Sequence, residues 1–168
     1  MPNSASCILH SAFEAGPYAE LRASSAFSFL DGAALPEDLI HHAAANDIPA
    51  MAIIDRNGVY GAPRFYTAAK KNGVKAILGA EIRLEPPKHL REAGTDKEQS
   101  LSLLVETRAG YKNLCKLLTA GALDKPKGEA RCTWEQVEEY AAGLHCLTRA
   151  DEATIQKIAG VFQGRTHV

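Results

Sequence analysis

The chain has 168 residues, 46% of them hydrophobic and 23% charged, and 19 Lys and Arg stand against 20 Asp and Glu for a formal net charge of −1. That is the composition of one globular domain with an ordinary core, and it points to neither disorder nor a fibrous repeat. The even charge balance argues against a free-standing nucleic-acid binder, which needs a basic face for phosphates, and leaves open a module carried by a larger DNA-binding protein.

Residues 1–17 show no period and close on Gly16-Pro17, the pattern of a loose leader. Ala19 to Ser24 reads as a short strand. Leu35 to Asn46 reads as a helix, opening with Pro36, Glu37 and Asp38, where a missing N–H costs nothing and acids meet the positive helix end. Leu39, Ile40, Ala43 and Ala44 then recur at helical spacing, until Ile48-Pro49 stops the run. Ala50 to Asp55 is continuously apolar and ends in a charge, as in a parallel strand buried on both faces. Ala62 to Asn72 is predicted as a helix closed by a left-handed Gly73, and Val74 to Leu84 as the third strand.

This alternation predicts right-handed βαβ units and an α/β fold of parallel strands with surrounding helices. Glu85 to Gln99, with Pro86-Pro87 and Gly94, reads as an exposed loop or hairpin tip. Leu101 to Glu106 is a strand and Ala109 to Leu123 an amphipathic helix with Tyr111, Leu114, Leu117 and Leu118 on one side. After a loop over Asp124 to Arg131, Thr133 and Gln136 form a capping box that opens the next helix. Leu144 to Thr148 is a strand, Asp151 to Gln163 a final helix, and Gly164 to Val168 resembles the approach to a further strand.

Cys7, Cys115, Cys132 and Cys146 are scattered without a C-x-x-C pair, the usage of reduced cytosolic thiols rather than of a zinc knuckle. No apolar run is long enough to cross a bilayer, and the first ten residues lack a basic and then hydrophobic leader, so the expected compartment is the cytoplasm. His41 and His42 are adjacent on a helix and face different directions, as surface residues. His10, His89, His145 and His167 have no partner at ligand spacing. Phe27, Phe29, Tyr60, Phe65 and Tyr66 are expected in the core or anchoring loops.

The segments AELRASSAFSFLDGA (19–33), PEDLI (36–40), AMAIIDRNGVYGAPRFY (50–66), GVKAILGAEI (73–82) and LLVETRAGYKNLCKLLT (103–119) carry a family likeness in their order and spacing. They resemble the N-terminal polymerase-and-histidinol-phosphatase (PHP) domain of the bacterial C-family DNA polymerase III alpha subunit, within it the error-prone DNA polymerase branch. The resemblance implies a distorted (β/α) barrel, here partial. Residues 18–168 would be a PHP-like domain short of its C-terminal end and lacking a polymerase core. It also implies a lineage in DNA-directed DNA synthesis and repair. The partners would be the rest of a polymerase or replication and repair proteins, with DNA contacted only indirectly.

The family places a metal cluster at the strand ends. Its first motif is His-x-His, and the matching positions are Arg22 and Ser24. Its second motif has a histidine after the strand-two aspartate, here Asp55, and the match is Arg56; a later histidine would fall near Ser100. Asp31 and Glu81 remain as ligand types for Mn²⁺, Mg²⁺ or Zn²⁺, with further ligand segments expected beyond Val168. Arginine cannot release its proton to become a ligand. Guanidinium charge is therefore expected to stand in for metal charge, pairing with Asp31, Asp55 or Glu81. Glu81 suits either a strand-end metal or water-activating role or a salt bridge to Arg56. The Arg56-Asn57-Gly58 turn suits phosphate binding and simple turn geometry equally.

Three functions follow from these readings. The first is a structural PHP portion of a polymerase with a degenerate metal site. The second is a metal-dependent phosphoesterase or 3′–5′ exonuclease. The third is a non-catalytic interaction module.

Overall fold

The fold, obtained as a computed structural model, is described for residues 18–86, 99–148 and 150–168. The expected leader at 1–17, most of the loop expected at 85–99, and with them Cys7, His10 and His89, lie outside the described residues. The chain divides into two compact units after Ala80.

The first unit holds β1 (Glu20–Ala23), α1 (Pro36–Ala45), β2 (Ala50–Arg56), α2 (Ala62–Asn72) and the start of β3 (Lys75–Arg83). Its strand order is β1-β2-β3. β1 runs parallel to β2, with Glu20 opposite Met51 and Ala23 opposite Ile53. Every residue of β2 from Ala50 to Asp55 is buried, as a parallel strand covered on both faces requires. Ile40 and Ala43 of α1 and Phe65, Ala68 and Ala69 of α2 close on Met51, Ile53 and Val74. Ile40 and Phe65 are fully buried, and each such side chain contributes about 1.5–3 kcal/mol. Gly73 ends α2 at φ +70°, the left-handed conformation in which a side chain is strained. The Lys75 N–H then donates to Pro49 O and sets β3 beside the start of β2.

The second unit holds the rest of β3, then β4 (Ser100–Val105), α3 (Arg108–Ala122), α4 (Trp134–Tyr140), β5 (Leu144–Leu147), α5 (Glu152–Phe162) and β6 (Thr166–His167), in strand order β3-β4-β5-β6. β5 lies antiparallel to β4, with Val105 opposite Leu144, and parallel to β6. The expectation of parallel strands is corrected at β4–β5. One helix carries a chain back to the start of a strand and yields a parallel neighbour; α3 and α4 in succession return it to the end it left. The Glu106 N–H accordingly donates to Gly143 O at 3.0 Å.

α3 buries Gly110, Leu114, Leu117 and Gly121, a stripe at helical spacing, while Tyr111 and Leu118 are only half-buried. Gly110 has no room for a side chain, since a Cβ there would stand 1.9 Å from Gly143 O. The capping box of α4 forms with both reciprocal bonds. The segment read as approaching a strand contains β6 itself. Among the described residues no helix is long and apolar enough to cross a membrane.

Candidate functional site

β2 is apolar until its end, so it delivers Asp55 into the interior at the point where the β1–α1 loop arrives from the neighbouring strand. Asp55 is 1% exposed, and a buried carboxylate needs donors or a cation. The loop supplies donors. The Ser25 N–H reaches Asp55 Oδ1 at 2.7 Å, the Ser25 hydroxyl lies 2.9 Å from both carboxylate oxygens, and the Ser28 hydroxyl donates to Oδ1 at 3.0 Å. The serines are themselves tied down: Ser25 Oγ accepts from the Phe27 N–H at 3.2 Å and Ser28 Oγ from the Arg56 N–H at 2.9 Å.

The loop closes tightly over this knot. Asp31 and Gly32 N–H groups donate to Ser28 O, and a Cβ on Gly32 would fall 2.1 Å from Ser25 O. On the other side, a Cβ on Gly61 would lie 2.8 Å from Asp55 Oδ2. Glycine there brings the start of α2, with its partial positive charge, against the carboxylate.

Arg56, the next residue, forms an ion pair with Asp31. Asp31 is one of the three acids expected to pair with a guanidinium. The two side chains are 34% and 42% exposed, so water screens the attraction. The Ser24 hydroxyl donates to Ile54 O at 3.4 Å. Arg22 is exposed on β1, where its backbone N–H takes Glu20 Oε1 at 2.6 Å. Asn57 is half-buried at φ +48° in the turn after β2. The first unit therefore brings Asp55, Ser24 and the Arg56–Asp31 pair to adjoining strand ends. In the second unit Glu81 is half-buried on β3 and Ser100 exposed at the start of β4.

Sequence reasoning missed Ser25 and Ser28. The clue was the cluster of hydroxyls in S-S-A-F-S, close after a strand that neighbours one ending in a buried acid. The aromatic expectation needs correction at Phe29 and Tyr66, which are exposed, while Phe65 is core. Phe29 sits at the tip of the turned loop beside Leu30, which is exposed at φ +69°. Tyr60 does anchor its loop, because its ring occupies the space a Gly58 side chain would need.

Among the described residues no three His, Cys, Asp or Glu side chains group as a metal site. A further correction concerns His145 and His167, which sequence spacing left unpartnered. Their ring nitrogens are 3.0 Å apart in the second unit, beside Glu106.

The PHP domain family matches residues 20–167, nearly the whole described chain. This chain belongs to the PHP domain family. The PHP domain is 42% identical over 134 residues to an error-prone DNA polymerase of Mycolicibacterium paratuberculosis, covering 79% of this chain and 12% of that protein. It is 35% identical over 159 residues to error-prone DNA polymerase 1 of Agrobacterium fabrum, covering 90% and 13%. It thus spans only 12–13% of the length of these curated relatives. Among solved structures, an amidohydrolase from Chromobacterium violaceum superposes with a TM-score of 0.61 at 15% identity, over 89% of this chain and 74% of that one. That likeness shows a shared fold and nothing of the chemistry.

Proposed function

We propose that residues 18–168 are the PHP portion of an error-prone C-family DNA polymerase, with a degenerate metal site and a structural role. The observation that carries this reading is the Asp55 carboxylate, whose contacts are taken by Ser25 and Ser28. A divalent cluster needs several convergent lone-pair donors, each set by a second layer of partners. The strand-end residues do not fit one. Arg22 and Arg56 have no lone pair to give, Asp31 is engaged by a guanidinium, and Ser24 offers only a neutral hydroxyl where an imidazole would be needed. No reaction step is therefore assigned to Mn²⁺, Mg²⁺ or Zn²⁺ here.

On this reading DNA synthesis by nucleotidyl transfer belongs to the rest of the polymerase. The PHP domain supports that body in the cytoplasm and meets DNA only through it and through replication and repair proteins. The identity to polymerases of which this chain spans about an eighth supports the assignment.

The test is calorimetric titration of the protein with Mn²⁺, Mg²⁺ and Zn²⁺, alongside hydrolysis of a chromogenic phosphoester and a 3′-labelled oligonucleotide. The expected result is no stoichiometric binding and no hydrolysis, in the parent and in the Ser24→His/Arg56→His double variant. Tight binding with hydrolysis lost in Glu81→Ala would overturn the structural reading in favour of a phosphoesterase or 3′–5′ exonuclease.

A further inference from the structure

Three titratable side chains stand in a row in the second unit. Glu106 follows β4, His145 lies on β5 and His167 on β6. His145 Nδ1 is 3.0 Å from His167 Nε2, and its other ring nitrogen, Nε2, is 3.6 Å from Glu106 Oε2. The ring centroids are 5.2 Å apart with the planes inclined by 25°. Face-to-face stacking at that centroid separation cannot bring two nitrogens to 3.0 Å. The numbers describe rings meeting edge to edge, with both nitrogens near the line joining the centres. Their in-plane lone pairs point at one another, so the contact suits one shared proton. A metal ion between head-on nitrogens would need roughly 4 Å, at about 2.0–2.1 Å per bond.

We propose that Glu106, His145 and His167 form a proton-counting clasp that fastens β6 to β5 near neutral pH and opens in acid. With both rings neutral, one N–H lies between the facing nitrogens and the Glu106 carboxylate orients the far side of His145. A first added proton makes His145 the donor on both sides, toward Glu106 and toward His167. A second proton puts N–H groups head to head, and the contact becomes repulsive.

The charged groups facing His145 are Glu106 from the end of β4 and Arg165 and His167 from the β6 side. Arg165 cannot move away, because its guanidinium donates to Phe162 O, Ala141 O and Leu144 O. Burial is the main force holding the His145 pKa below its ordinary value; His167 and Arg165 add to it, and Glu106 opposes. The sign follows. An opened or unfolded imidazole takes a proton near pH 6.5 and the clasped His145 takes it less readily, so the clasp is fully present above that value and lost as pH falls below it. The strand it secures is short. β6 has two residues and is bound to β5 by the Cys146 N–H to Arg165 O at 2.8 Å and the Thr148 N–H to His167 O at 3.0 Å.

The test combines ¹⁵N NMR of the imidazoles with amide exchange on the intact chain. His145 should take its proton below the ordinary imidazole range, and that step should also move the ¹⁵N resonances of the facing His167 ring. Protection of the Thr148 amide, corrected for intrinsic exchange, should fall below pH 6.5 by up to about tenfold per pH unit for each proton taken up on opening. His167→Gln, with a non-titrating amide near the Nε2 position, should abolish that fall. Independent single-step titration of both rings in the unmodified protein would overturn the proposal. So would an undiminished fall in Thr148 protection in His167→Gln.

Discussion

Ser28→Ala tests the Asp55 knot most directly, because one hydroxyl serves two groups in a site closed to water. Ser28 is 2% exposed and Asp55 1%. The substitution removes the bond from Ser28 Oγ to the carboxylate and leaves the Arg56 N–H without its acceptor. A hydrogen bond to a charged group contributes about 1.5–3 kcal/mol and a neutral one about 1 kcal/mol. The missing hydroxyl leaves a space that water cannot readily enter, so little is recovered, and the expected loss is about 3 kcal/mol. At roughly 2–4 °C per kcal/mol for a chain of this size, Tm should drop by about 9 °C. Urea denaturation followed by circular dichroism, with amide exchange of the Arg56 N–H as a local readout, measures both effects. Ser24→Ala is the matched control: its hydroxyl makes one long 3.4 Å bond to Ile54 O in a half-buried position, and its loss should stay under about 1 kcal/mol. Equal losses for the two variants would mean that the carboxylate is satisfied by something other than Ser28, and the reasoning about the knot would fail.

Gly110→Ala should destabilise by about 3 kcal/mol or prevent folding, because its Cβ would meet Gly143 O at 1.9 Å and both partners are backbone; a urea midpoint within error of the parent contradicts this. Thr133→Ala should cost about 1 kcal/mol through loss of the α4 capping box, read from the same transition. Arg56→Met should change stability by no more than about 1 kcal/mol, since the Asp31 pair is substantially exposed, and a larger loss that persists in high salt would show that the pair is not screened. Burial pushes the Cys132 thiol up to about 11 and the Cys146 thiol up to about 12, with Glu85 adding to the first. A chromogenic disulfide reagent at pH 8 should therefore label the half-buried Cys115 well before either of them, and rapid labelling of Cys146 in the folded chain would refute the burial argument.

The elements were legible wherever one local rule decided them. Gly73 after α2, Thr133 with Gln136 at α4 and the apolar run of β2 each announce themselves within a few residues. Strand direction was not legible in this way: Leu101 to Val105 has the same apolar character whichever way its neighbour runs, and only the two-helix connection reverses β5. The His145–His167 contact was equally invisible, because it joins residues 22 apart through sheet register rather than through spacing along one element. Phe29 and Tyr66 misled because an aromatic is usually worth burying, and nothing in the sequence shows that the loop carrying Phe29 turns it outward.

The loss of histidine ligands alone would be weak support for a structural role, since carboxylates and water can hold a hard cation. Ser25 and Ser28 change the weight of that argument. An ionised carboxylate offers about four acceptor sites; the Ser25 N–H and the Ser25 and Ser28 hydroxyls bring three hydrogens to those of Asp55, under a loop that Gly32 allows to close and against a helix start that Gly61 lets approach. A cation seeking Asp55 would have to displace a backbone N–H and two hydroxyls that already solvate the buried carboxylate. Arg56 would remain beside it, repelling the newcomer while paired to Asp31. The case for a scaffold thus rests less on which ligands are missing than on the donors that already hold Asp55.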